Sequence, residues 1–229
     1  MKGRLLMLVA LGYGARARTR NLMALFFMVF ASVAMADPLR IAALGDSLTQ
    51  GYGLMEQDGF VPQLQGWLNE NGVEATVVNA GVSGDTTQGG LSRIEWTLTP
   101  DIGALIVALG GNDVLRGLDP AVSRANLRGI LEVAQAREVP VLLIGMEAPG
   151  NYGPEYKQAF DAMYPELAQE FGAQHLESFF AGLMRDSDDP ADLVQYMQPD
   201  GIHPNADGVS KIVEAVGPEV QALVDPLIN

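Results

Sequence analysis

Residues 39–53 read LRIAALGDSLTQGYG. The apolar residues 41–44 stop at Gly45 and deliver Asp46 and Ser47 into a turn rich in Thr, Gln and Gly. A strand-to-helix turn of this kind lies at the carboxyl end of a strand, where open α/β sheets bind ligands. A hydroxyl placed there sits near a helix start, which favours negative charge. The same residues serve equally well as an Asp/Ser turn and helix N-cap. The stretch alone leaves Ser47 open between nucleophile and cap.

Outward from this segment, short apolar runs alternate with longer helical patterns. The strand candidates are residues 40–44, 75–79, 105–109 and 141–145, with a weaker one at 174–177. The first four are mostly apolar, as strands buried on both faces are. Helical spacing predicts helices over 60–69, 87–97, 120–138, 156–171 and 207–224. This alternation implies an α/β fold with a parallel sheet and helices on both faces. Functional residues are then expected just after the strands.

Three more junctions carry chemistry. After the second strand, Gly81-Val82-Ser83-Gly84-Asp85-Thr86 offers small residues whose backbone N–H groups can face a cavity. The Gly84 N–H is a candidate oxyanion donor that the residues alone do not single out from its neighbours, and the loop reads more readily as an Asp85/Thr86 helix cap. After the third strand, Gly110-Gly111-Asn112-Asp113 offers the Asn112 amide as a second donor, in a composition that is also a strong turn. Near the C-terminus, Asp200-Gly201-Ile202-His203 places a carboxylate where it can turn back on an imidazole and leave its other nitrogen free as a base. The chain has two histidines, so a histidine base must be His175 or His203. No serine sits in a Gly-x-Ser-x-Gly elbow, so the usual α/β-hydrolase arrangement is absent.

Composition narrows the function classes. Residues 1–36 hold five basic residues and no acid, then an apolar run ending in Ala34-Met35-Ala36. That is the pattern of a secretory signal peptide cleaved after Ala36, with export to the periplasm or beyond. The run is short for a membrane span, which needs about 20 residues. Domain boundaries are therefore expected at 1–36 (leader) and 37–229 (one domain). Of 14 basic and 28 acidic residues, nine and 28 remain after the leader, a net charge of −19. Such a body repels nucleic acid and anionic membrane surfaces. There is no cysteine, which excludes thiol catalysis, disulfides and a lipidated cysteine anchor. No His-Glu-x-x-His or similar metal-ligand spacing occurs.

GDSLTQGYG, GVSGDTT, GGND and DGIHPN, in that order, resemble the four signature blocks of the SGNH (GDSL) hydrolase family. LGGNDVLRGLDP and APGNYGPEYKQAFDAMYPELAQEFG look like its group of periplasmic multifunctional thioesterases, lysophospholipases and arylesterases. The resemblance runs from about Arg40 to the C-terminus. It implies a flavodoxin-like three-layer αβα sandwich with five parallel strands in the order 2-1-3-4-5, and no metal or cofactor. It implies Ser47 as nucleophile, His203 as base and Asp200 as its orienter. The oxyanion hole would be Ser47, Gly84 and Asn112. His175 has no counterpart in the pattern and is expected to be structural or exposed.

The expected activity is hydrolysis of aryl and short- to medium-chain esters, with lysophospholipids and acyl thioesters as further candidates. The expected state is a monomer without a membrane anchor. Val114, Leu115 and Leu118 are the candidate acyl wall, and residues 146–156 the opposite rim. Polyanionic acyl-CoA is a poor match to a body of net −19. A carbohydrate O-acetyl esterase on the same fold is the alternative. It calls for aromatic sugar platforms, whereas Trp67 and Trp96 both lie in helical patterns and are expected in the core.

Overall fold

The computed structural model describes residues 38–185 and 190–228; the leader lies outside the described residues. Five parallel strands form one sheet: β1 (Leu39–Gly45), β2 (Ala75–Gly81), β3 (Ile102–Ala108), β4 (Val141–Ile144) and β5 (Gln174–Leu176). Their order is β2-β1-β3-β4-β5. The helices are α1 (Ser47–Gln50), α2 (Phe60–Glu70), α3 (Thr87–Thr97), α4 (Gly111–Leu115), α5 (Pro120–Ala136), α6 (Pro154–Phe171), α7 (Pro190–Leu193) and α8 (Ala206–Ile228). Parallel neighbours need right-handed crossovers. The chain moves one way from β1 to β2 and the other way from β2 through β3 to β5. α2 therefore falls on one face, where it packs on α8, and α3, α5 and α6 on the other. The direction reverses between β1 and β3, which opens a cleft at their carboxyl ends.

β1, β3 and β4 are almost wholly buried, as their apolar runs require. β2 departs from that expectation. It is an edge strand bonded to β1 alone, with Thr76 exposed between buried Ala75 and Val77 and Asn79 exposed between half-buried neighbours. β3 begins three residues before the predicted start because its pairing with β1 reaches Ile102. α5 stops at Ala136, short of the predicted end, where Glu138 takes a left-handed conformation (φ 56°). Trp96, expected in the core, is 82% exposed. Ile94 is the buried residue of that turn, and two positions further on lies about 200° round the helix.

The carboxyl ends of β1 and β2 are locked together. The Arg93 guanidinium donates to the carbonyls of Ala80 (2.7 Å) and Gly45 (2.9 Å) and pairs with Asp85 (2.7 Å). Gly81 passes so close to α1 that a Cβ would lie 2.4 Å from the Gln50 nitrogen. Backbone cannot yield cheaply, so Gly81→Ala is expected to cost about 1–3 kcal/mol. That lowers Tm by several degrees. Gly66→Ala in α2, where a Cβ meets nothing within 4 Å, should hold or raise Tm in the same thermal melts.

Candidate active site

The site begins where β1 ends. Asp46 caps α1, accepting from the Leu48 N–H at 3.0 Å. α1 lasts only four residues before Gly51 turns left-handed (φ 89°). Ser47 is thus held at the first position of a helical turn, facing a cleft of about 940 Å³. The base arrives from the far end of the chain. The segment before α8 turns tightly at Gly201 (φ 66°) and is tied by Gln198 N–H to the His203 carbonyl (2.7 Å). His203 Nε2 lies 2.8 Å from Ser47 Oγ, and His203 Nδ1 lies 2.7 Å from Asp200 Oδ2. The other Asp200 oxygen accepts from the Ile202 and His203 N–H groups (2.9 and 3.0 Å). The backbone bond from His203, its ring and the Ile202 N–H together hold the Asp200 carboxyl down at about 2. The Tyr52 ring packs against the imidazole, centroids 4.7 Å apart. This arrangement can pass the Ser47 proton to His203 while Asp200 stays ionised.

The two further candidates reach the same cleft. Gly84 sits in the loop after β2 with φ 83°, a conformation that favours glycine. Its carbonyl accepts from Arg116 at 2.8 Å, which ties the loop to the turn after α4. Asn112 enters from α4, after Gly110 (φ 121°), and its amide donates to Asp46 Oδ2 at 3.1 Å. Beside it, fully buried Asp113 accepts from the Thr87 N–H (2.9 Å), the Thr87 hydroxyl (2.6 Å) and the Ser123 hydroxyl (2.8 Å). These bonds fasten α4 to α3 and α5.

Asp46 is only 2% exposed. Burial pushes its carboxyl up from 3.8 to about 6, against the pull of the Leu48 N–H, Asn112 and nearby His203, and with Asp113 adding to the rise. A raised folded-state pKa means that the charged form costs stability. The cost is full above pH 6, shrinks between 6 and 3.8, and is gone below. Its size is about 3 kcal/mol at 1.36 kcal/mol per unit. Asp46→Asn keeps a competent cap. Its stability relative to the parent should therefore be greatest at pH 8 and decline toward pH 4, as read by urea unfolding across that range. A difference that stays flat with pH contradicts this.

Two of the three residues of the expected acyl wall reach the cleft. Val114 and Leu115 line the cleft; Leu118 does not. Gly117 (φ 61°) reverses the chain, and Leu118 is drawn back by its N–H to the Asp113 carbonyl (2.9 Å). Its own carbonyl accepts from Tyr156 (2.9 Å). Of the predicted opposite rim, Met146, Glu147 and Pro149 contribute. A larger apolar wall, including Phe180, Leu183, Met184, Val194, Met197 and Ile202, was not anticipated. The available signal was the apolar run SFFAGLM directly after β5. His175 lies within β5 opposite Leu143, half-buried and away from the cleft, and burial lowers its pKa. Neither tryptophan lines the cleft. Among the described residues, no three His, Cys, Asp or Glu side chains cluster as metal ligands.

The sequence profile of the GDSL-like Lipase/Acylhydrolase family matches residues 43–210. Thioesterase 1/protease 1/lysophospholipase L1 of Escherichia coli (strain K12) is 40% identical over 194 residues, covering 84% of this chain and 87% of that protein. Esterase TesA of Pseudomonas aeruginosa is 37% identical over 185 residues, covering 80% of this chain and 89% of that protein. Among solved structures, AlinE4, a SGNH-hydrolase family esterase, matches with a TM-score of 0.67 at 42% identity, covering 82% of this chain and 98% of that one. The ordered sequence blocks, the 2-1-3-4-5 sheet and these similarities agree: the chain belongs to the GDSL-like lipase/acylhydrolase family.

Proposed function

We propose that this protein is a serine esterase that hydrolyses carboxylic esters through an acyl-enzyme on Ser47. The observation that carries the reading is the continuous chain Ser47–His203–Asp200, open to a largely apolar cleft that Gly84 and Asn112 also line. His203 Nε2 takes the Ser47 proton as Oγ attacks the ester carbonyl. The N–H groups of Ser47 and Gly84 and the Asn112 amide receive the oxyanion. His203 then protonates the departing alcohol or phenol, and the acyl group stays on Ser47. Water, deprotonated by His203, attacks the acyl carbon; collapse releases the acid, and the proton returns to Ser47. Val114 and Leu115 on one side, and Met184 and Val194 among the other lining residues, suit an acyl chain. Aryl esters, short- to medium-chain esters and lysophospholipids are the proposed substrates, and thioesters of low charge fit the same chemistry. The leader pattern supports export and cleavage after Ala36, leaving a monomeric periplasmic or secreted domain. Among the described residues, no helix is long and apolar enough to cross a membrane.

A series of p-nitrophenyl esters from acetate upward, with lysophospholipid and acetylated xylan alongside, tests the substrate class. Each methylene buried in the cleft adds about 0.8 kcal/mol, or roughly fourfold in kcat/KM. The rate should therefore climb from acetate to medium chains, with lysophospholipid cleaved. A maximum at acetate, together with preference for acetylated xylan, would favour the carbohydrate esterase instead.

A further inference from the structure

We propose that Asp46 is a positioning residue that selects which end of the Asn112 side-chain amide faces the reacting carbonyl. The inference rests on Asn112 being an oxyanion donor. An asparagine amide has two ends of nearly equal size, one donating and one accepting. Only the donating end stabilises an oxyanion, so its orientation needs a cause. Asp46 Oδ2 lies 3.1 Å from Asn112 Nδ2. An ionised carboxylate accepts and cannot donate. It therefore holds the NH₂ group and leaves the second N–H for the cleft. Asp46 is itself held in place. Its other oxygen caps α1 through the Leu48 N–H, and the residue is buried. The cap thereby fixes a carboxylate that in turn fixes an oxyanion donor from another strand junction. Burying this carboxylate disfavours its charged form, a cost that capping alone does not require, since Asn and Ser cap as well.

The test compares Asp46→Asn with Asp46→Ser, each alone and in an Asn112→Ala background. Asp46→Asn keeps size and cap but puts an NH₂ where Oδ2 was. Donor then meets donor, and Asn112 relieves the clash by turning its carbonyl toward the oxyanion. For a p-nitrophenyl ester, kcat should fall by about 100-fold or more, the scale of a lost oxyanion donor, with KM nearly unchanged. Melting at pH 8 should hold or rise. Asp46→Ser, which removes the acceptor without forcing a flip, should lose less kcat despite being the less similar residue. In the Asn112→Ala background neither change should lower kcat further, the signature of two residues acting as one. A purely structural Asp46 instead lowers Tm and multiplies the Asn112→Ala loss. If Asn112→Ala is slow but Asp46→Asn stays within about twofold of the parent, or the losses multiply, the inference fails and the esterase reading stands. If Asn112→Ala keeps near-full kcat, the oxyanion assignment itself fails. Should Asp46→Asn not fold, Asp46→Ser carries the same cycle: slow alone and silent beside Asn112→Ala.

Discussion

Ser47→Ala is expected to lower kcat by about a millionfold, the scale seen when a serine hydrolase loses its nucleophile. Among the described residues, the lost hydroxyl has one hydrogen-bond partner, His203 Nε2 at 2.8 Å. Its removal leaves the α1 cap untouched, because that bond comes from Asp46. Tm and the KM for an aryl ester should therefore change little. Asp200→Ala should cost less, about ten-thousandfold, because the imidazole can still act as a base when poorly held. Asp200 also anchors two backbone N–H groups of its own turn, so its loss should loosen the segment before α8 and lower Tm. Single-turnover assays paired with thermal melts separate the two variants. Near-full activity of Ser47→Ala would overturn the nucleophile assignment.

Asn112→Ala is expected to lower kcat by about 100- to 1000-fold with KM held, since an oxyanion donor works only when charge develops. A second effect follows from the buried pair. Truncation leaves the Asp46 carboxylate without its amide donor, and an unmet buried acceptor costs about 1–3 kcal/mol. The penalty falls on the charged form, so the variant should lose more stability at pH 8 than at pH 4. Steady-state kinetics and urea unfolding at the two pH values check both halves.

The sequence and the structure meet most closely at the strand junctions. Four apolar runs and one weak run became five strands within a few residues of their predicted bounds, because a buried strand is a local pattern of side chains. Asp200 and His203 were legible for the same reason: three residues span one tight turn. Legibility failed where the answer depended on rotation or on a distant neighbour. Trp96 looked like core until the helical period carried it to the solvent face. Leu118 looked like wall until Gly117 reversed the chain. Phe180, Leu183, Met184, Val194 and Met197 lie outside every motif, yet they supply most of the unanticipated apolar wall.

The sequence by itself marked the alternation of strands and helices of a parallel α/β sheet and the junctions that carry Ser47, Gly84, Asn112, Asp200 and His203. Short-range patterning and the scarcity of histidine point to those junctions, while the strand order and the role of each residue come from the resemblance of the ordered blocks to the SGNH family. Only the tertiary structure decided that His203 comes within 2.8 Å of a serine 156 positions earlier. It also decided that Asp46, an ordinary cap in the opening segment, holds the amide of Asn112. Such contacts arise where crossovers bring separate strand ends to one cleft, and no local pattern records which side chains meet there.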